Sequence, residues 1–179
     1  MCPIKQILTE PIHSDIAEKN YDDFTFRPPR PSDAANIHHL VSASGVLDIN
    51  STYCYMLMGA HYAQTCTVVE DGEKMIGALC GYIPPEKEDT LFVWQITTDK
   101  QYRRLGVAEA MIESIIARLS PTAKFLEATV CPGNQGSLAF FEAFAAKRST
   151  TVVKSLLFPA SLFREASHED EYLLRIGPL

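Results

Sequence analysis

The run 91–119, LFVWQITTDKQYRRLGVAEAMIESIIARL, changes its hydrophobic period midway. Residues 91–98 are β-branched, aromatic or amide-bearing and almost free of charge, which predicts a strand buried on both faces. From Val107 onward the apolar positions are Val107, Ala108, Met111, Ile112, Ile115, Ile116 and Leu119, one wide face of a helix. The rest of the chain sorts in the same way. Alternation at 24–27 predicts a short strand closed by Pro28-Pro29. Pro31-Ser32-Asp33 opens a helix that runs through 34–43, with Ser32 or Asp33 as N-cap and Gly45 as its stop. Asp48-Ile49-Asn50-Ser51 caps a second helix over about 52–63. Strands at 66–70 and 74–83 join through Asp71-Gly72 as a hairpin. A strand at 125–130 is broken by Pro132-Gly133-Asn134 ahead of a helix over about 135–147, and strands at 151–158 and 172–176 close the chain. The order is strand, two helices, three strands, helix, strand, helix, two strands, which predicts an α/β fold with a mixed sheet. Residues 1–23 keep no steady period and are expected to be an N-terminal arm ahead of one domain, 24–179.

Composition narrows the function. With 179 residues, 46% of them hydrophobic, the chain suits one domain with a proper core. A net charge of −6 disfavours nucleic acid and acidic membrane surfaces, both of which need a basic face, and is compatible with a small cationic substrate. The five cysteines make an odd count without a Cys-x-x-Cys pair, as expected for free thiols in a reducing cytoplasm. The first residues carry Lys5, Glu10 and Asp15 without a long apolar run, so no signal peptide is expected, and nothing approaches a membrane span. His38 and His39, adjacent on a helix, diverge by about 100° and are poorly placed to share a metal. No metal is expected.

The chemistry concentrates where the period changes. Arg103-Arg104-Leu105-Gly106-Val107-Ala108 is a basic turn between strand and helix, with its glycine at the helix entrance. The first N–H groups of a helix are unpaired, the helix dipole adds positive charge, and a glycine admits close approach, so such a turn is suited to a phosphate. The spacing Arg-x-x-Gly-x-Ala, in this strand–turn–helix setting, resembles the pyrophosphate cradle of the GNAT superfamily of acetyl-CoA-dependent acetyltransferases. The element order matches that superfamily too. The resemblance implies a mixed, mostly antiparallel central sheet with flanking helices and acetyl-CoA as cosubstrate. It places the backbone of Ile96 toward the acetyl carbonyl and Thr98 along the pantetheine arm. Arg104, Leu105, Gly106, Val107 and Ala108 would hold the pyrophosphate through their amides. Arg103 is either a further phosphate partner or an ordinary solvated arginine.

Longer blocks carry the resemblance further. Asp48-Ile-Asn-Ser-Thr-Tyr53, Gly81-Tyr-Ile-Pro-Pro85, Thr90-Leu-Phe-Val-Trp-Gln95, Glu127-Ala-Thr-Val130 and Pro132-Gly-Asn134 are similar to the diaminobutyrate acetyltransferases of ectoine biosynthesis. By that resemblance the acceptor is the 4-amine of L-2,4-diaminobutyrate, a small diamino acid, and the enzyme is a homodimer. Another small amine or a peptide N-terminus remain open as acceptors, as does a non-enzymatic acetyl-CoA sensor. The reaction needs a proton acceptor, for which Glu127 is the candidate against a plain strand-edge charge. Asp48 is a candidate for pairing a substrate ammonium, a role compatible with helix capping. Trp94, core or pocket wall, and Tyr53 are candidates for limiting the acceptor pocket, with His168 from a late polar loop beside them. Asn134 is a candidate hydrogen-bond partner of the cosubstrate or a helix cap. Many superfamily members carry a tyrosine seven residues after this asparagine that protonates the departing thiolate. Phe141 stands there and has no proton to give. Cys131, without an obvious histidine partner, reads as a small buried side chain rather than a nucleophile.

Overall fold

Seven strands build one sheet in the order β1-β2-β3-β4-β5-β7-β6. The computed structural model describes residue 19 and residues 21–164 and 168–179. The expected arm therefore lies outside the described residues except at 19 and 21–23. The strands are β1 Thr25–Arg27, β2 Thr67–Asp71, β3 Lys74–Tyr82, β4 Thr90–Thr98, β5 Phe125–Val130, β6 Thr151–Phe158 and β7 Glu171–Gly177. Only β4 and β5 run parallel, joined by the helical crossover such a pair requires. All other neighbours are antiparallel. This is the mixed, mostly antiparallel sheet of the GNAT fold.

Among the described residues four helices cover the sheet: α1 Ala34–Ser44, α2 Thr52–His61, α3 Val107–Leu119 and α4 Gln135–Lys147. α3 buries Val107, Met111, Ile112 and Ile115, the face its period predicts, against Leu79, Leu91, Val93 and Leu126. Phe141, Phe144 and Ala145 of α4 complete this core. On the other face α1 and α2 pack Ile37, Leu40, Val41 and Tyr55 against Val68, Ala78 and Cys80. The helix ends differ in part from expectation. Gly45 stops α1 in the left-handed conformation, and Ser51 caps α2 by accepting from the Cys54 amide. Asp33, one of the two expected residues, stands at the N-cap of α1, but its side chain makes no cap bond to the helix. Its carboxylate instead receives the Arg27 guanidinium at 2.8 Å and the Arg30 amide at 2.6 Å, because an arginine six residues earlier offers a stronger charge-assisted bond than a helix amide.

β4 also departs from its predicted two-sided burial. Leu91, Val93, Gln95 and Thr97 are buried, but Phe92, Trp94, Ile96 and Thr98 are only half-buried. The cause is the pairing on either side. β3 pairs Cys80 with Gln95 and then Gly81 with Val93, so Trp94 is an extra residue, a bulge. Along the other edge β5 pairs with β4 only from Thr90–Phe125 to Val93–Ala128 and then diverges to stay with β7. From Trp94 to Thr98 no strand borders that edge of β4, and a cleft opens there. Among the described residues no helix is long and apolar enough to cross a membrane.

Candidate active site

The cleft has a volume of about 880 Å³. One wall is Ile96, Thr97 and Thr98; the other is the turn into α4, from Gly133 to Ser137, with Phe140. Arg103, Arg104 and Ala108 line its outer end. Two features fit a nucleotide-linked thioester. The Thr98 hydroxyl is buried and has no hydrogen-bond partner among the described residues. Backbone and hydroxyl groups left unpaired in a cleft are poised for a polar arm such as pantetheine. Secondly, Arg104 (φ 68°) and Gly106 (φ 78°) are both left-handed, flanking Leu105. Alternating handedness turns successive N–H groups into one concave face, an anion nest, at the N-terminus of α3. A non-glycine residue in this conformation costs on the order of 1–2 kcal/mol, so the strain at Arg104 sits where an anion would repay it. Leu105 packs on the core and Val107 is buried in it, and Leu105 and Gly106 border a neighbouring hollow beside Tyr21 rather than the cleft itself.

Asn134 lines the cleft and caps α4, its side chain accepting from the Ser137 amide at 3.1 Å. Phe141 lies in the core, and Phe140 is the aromatic that reaches the cleft. Cys131 is half-buried and free, at the end of β5.

The acceptor candidates divide. Asp48 and His168 come together around a residue the sequence reading passed over, Glu171 at the start of β7. Burial holds the Glu171 carboxyl above the usual carboxylate range, and the negative charges of Asp48 and Glu169 add to this. His168 and a bond from the Thr129 hydroxyl pull the other way. His168 is stacked on Phe163 with ring centroids 3.6 Å apart, and Glu169 accepts the Gly133 amide at 2.7 Å, tying this loop to the turn into α4. No local signal marks Glu171, because it becomes a site residue only through contacts across the sheet. Trp94 rests against the α1/α2 cluster and is half-buried. Tyr53 is 67% exposed.

Glu127 is neither a surface charge nor a wall of the cleft. It is 2% exposed, and its carboxylate takes Lys87 Nζ at 2.8 and 2.9 Å and Arg175 Nη1 at 2.5 Å. Both carboxylate oxygens are thus already engaged by these two cations. Arg175 is further fixed over the Phe125 ring, 3.9 Å from its centroid. Among the described residues no group of three or more His, Cys, Asp or Glu is gathered for a metal.

Comparison with known proteins agrees with this geometry. The profile of the Acetyltransferase (GNAT) family matches residues 34–145. An L-2,4-diaminobutyric acid acetyltransferase of Marinococcus halophilus is 39% identical over 158 residues, 88% of this chain and 91% of that protein. Among solved structures, diaminobutyrate acetyltransferase EctA from Paenibacillus lautus, in complex with its substrate L-2,4-diaminobutyric acid and coenzyme A, superposes with a TM-score of 0.82. It is 33% identical, over 87% of this chain and 95% of that one. Ard1 from Thermoplasma volcanium, at 13% identity and a TM-score of 0.71 over 88% and 99% of the two chains, shares the fold.

Proposed function

The chain belongs to the GNAT family of acetyltransferases and, within it, to the L-2,4-diaminobutyric acid acetyltransferases, and we propose that it moves acetyl from acetyl-CoA to the 4-amine of L-2,4-diaminobutyrate. The product, N4-acetyl-L-2,4-diaminobutyrate, is the precursor of ectoine. One observation of the structure supports this most: the splay of β4 from β5 ends at a left-handed anion nest and faces, across the sheet, a group of carboxylates suited to a diammonium substrate.

The acetyl-CoA pyrophosphate rests on the amides of residues 104–108 with the Arg103 and Arg104 guanidiniums, and the pantetheine arm runs along the open edge of β4 past Thr98. Asn134 serves the arm from the opposite wall. A primary ammonium has a pKa near 10, so freeing its lone pair at pH 7 costs on the order of 4 kcal/mol. Glu171, with its raised carboxyl, takes that proton; Glu127 is committed elsewhere. Asp48 pairs the 2-ammonium, and Trp94, Tyr53 and His168 border the acceptor. The 4-nitrogen forms its bond to the acetyl carbon, the oxyanion is met by the backbone N–H at Ile96, and collapse breaks the C–S bond. On collapse the adduct nitrogen gives its remaining extra proton to solvent, and the thiolate departs without a tyrosine donor and is protonated from solvent, which a thiol pKa near 8.5 permits.

We also place the enzyme in the cytoplasm, the reducing compartment its free cysteines suit, and infer a homodimer. The edge strand β6 supports the second reading, with Val153 61%, Leu156 51% and Phe158 45% exposed, an unguarded apolar edge for a second copy to cover. Thiol release measured side by side with 2,4-diaminobutyrate, ornithine and lysine tests the activity. Diaminobutyrate should lead by at least about tenfold in kcat/KM, since a nucleophile displaced by one methylene is misplaced by more than about 1 Å. Equal rates for all three would remove the substrate assignment and leave a general amine acetylase.

A further inference from the structure

Beneath the Asp48 loop lies a chain of buried polar groups that the reaction itself does not use. Tyr55 is fully buried on α2, and its hydroxyl donates to Gln95 Oε1 at 2.9 Å. Gln95, 6% exposed, donates from Nε2 to the Asp48 carbonyl at 2.7 Å. Asn50 Nδ2 donates to the same carbonyl at 3.4 Å. The phenol has a single proton, and it goes to Gln95 Oε1, an atom that can only accept. That choice fixes the Gln95 amide with its nitrogen toward Asp48. The loop is thus held at the Asp48 carbonyl by groups sealed from water.

The placement has one cause with the cleft. At a bulge two successive side chains oppose one residue of the partner strand. Trp94 packs on the α1/α2 cluster and Gln95 bonds Tyr55 of that same layer, so both sit on this face. The irregularity that opens β4 for the cosubstrate also drives Gln95 under the acceptor loop.

We propose that Tyr55 and Gln95 are positioning residues that set where Asp48 stands, and through it the chain length of diamine that reaches the thioester. This rests on the reading of Asp48 as the partner of the substrate's 2-ammonium. Asp48 itself is exposed. A buried network with every member satisfied has one arrangement, whereas removing a single partner frees the others to reorient.

The test uses Tyr55→Phe, which removes only the hydroxyl, and Gln95→Met, which keeps length without hydrogen bonding. For each, KM is measured for diaminobutyrate and for acetyl-CoA, together with the kcat/KM ratio of diaminobutyrate over ornithine. The expected result for Tyr55→Phe is a rise of about tenfold in diaminobutyrate KM and a several-fold fall in the ratio, for a loop shift approaching 1 Å. Acetyl-CoA KM stays within about twofold, a split that a merely structural lesion would not give. In an Asp48→Asn background, Tyr55→Phe adds less than about twofold, because the two act through one contact. Additive effects, parallel loss of acetyl-CoA affinity, or an unchanged ratio in both variants overturns the proposal. If Asp48→Asn alone leaves diaminobutyrate KM untouched, the reading of Asp48 falls and the proposal with it. If Asp48→Asn raises that KM and Tyr55→Phe does not, only the proposal falls.

Discussion

Replacing Gly106 by alanine separates two reasons for a glycine at the head of α3. The sequence supplies one, close approach of a phosphate. The structure adds the other, because φ is 78° and a Cβ is strained there by about 1–2 kcal/mol. For a chain of this size each kcal/mol lowers Tm by roughly 2–4 °C, so the strain alone predicts a fall of about 2–8 °C. Inside the protein the added carbon meets only Tyr21 Cδ1, at 3.3 Å, so packing contributes little more. On the proposed reading of this turn the methyl would stand in the approach of the pyrophosphate. If it forfeits one charge-assisted hydrogen bond, about 1.5–3 kcal/mol, the Kd for coenzyme A rises about 10- to 150-fold. Calorimetric titration at fixed ionic strength, on protein verified folded below its lowered Tm, reads this directly. A Kd within twofold of the parent, accompanied by the expected fall in Tm, would mean that the strain is real and the turn is not the phosphate site. A valine at this position strains the left-handed backbone further and would confound the two effects.

Other consequences follow from the carboxylates and from Arg118. For Glu171, a raised carboxyl is protonated over a wider acidic range and cannot accept a proton there, so kcat/KM should climb with pH from the acid side through neutrality. Glu171→Gln should lower kcat by about 10²- to 10⁴-fold and abolish that acid limb, and an unchanged profile would exclude it as the acceptor. The same shift has a stability counterpart. A carboxyl raised on folding binds its proton more tightly in the native state, so its contribution is lost as pH rises from its ordinary pKa through the raised one, and Glu171→Gln should flatten the Tm–pH curve in that window. Glu127→Gln strips the countercharge from Lys87 and Arg175, but these are 45% and 33% exposed and can turn to water. A loss of about 1–3 kcal/mol is expected, discounted for that screening, with kcat within about threefold; a 100-fold loss of kcat at unchanged Tm would restore it as a catalytic group. Arg118 spans the Ala63, Gln64 and Cys66 carbonyls and the Thr67 hydroxyl at 2.9–3.1 Å, so Arg118→Ala should lower Tm by roughly 4–12 °C without altering diaminobutyrate selectivity. A Tm within 1 °C of the parent would refute that reading.

Much of the fold is legible along the chain because its elements are locally consistent. The face of α3, the hairpin at Asp71-Gly72, the stop at Gly45 and the basic turn all follow from period and turn chemistry within a few residues. The cleft is less legible. Nothing in Leu91–Thr98 announces that Trp94 bulges or that β5 leaves after Ala128, since both depend on what the neighbouring strands pair with. The charged groups behave likewise. Glu127, on a strand flanked by Leu126 and Ala128, has the pattern of an outward-facing residue, and its partners lie 40 and 48 positions away. Asp33 has a capping residue's position but answers to Arg27 across a turn. Glu171 sits in a run of acidic residues, and its burial, with Thr129 and Asp48 near it, sets it apart from Glu169 and Asp170.

The regiochemistry of the product tests the central claim most directly. Diaminobutyrate presents two amines, and only a site that pins the 2-ammonium while leaving the 4-nitrogen free makes a single isomer. NMR of the product formed from acetyl-CoA and L-2,4-diaminobutyrate should show acetyl on the 4-nitrogen alone. A mixture of 2- and 4-acetyl products, or no acetylated product with acetyl-CoA bound, would contradict the account.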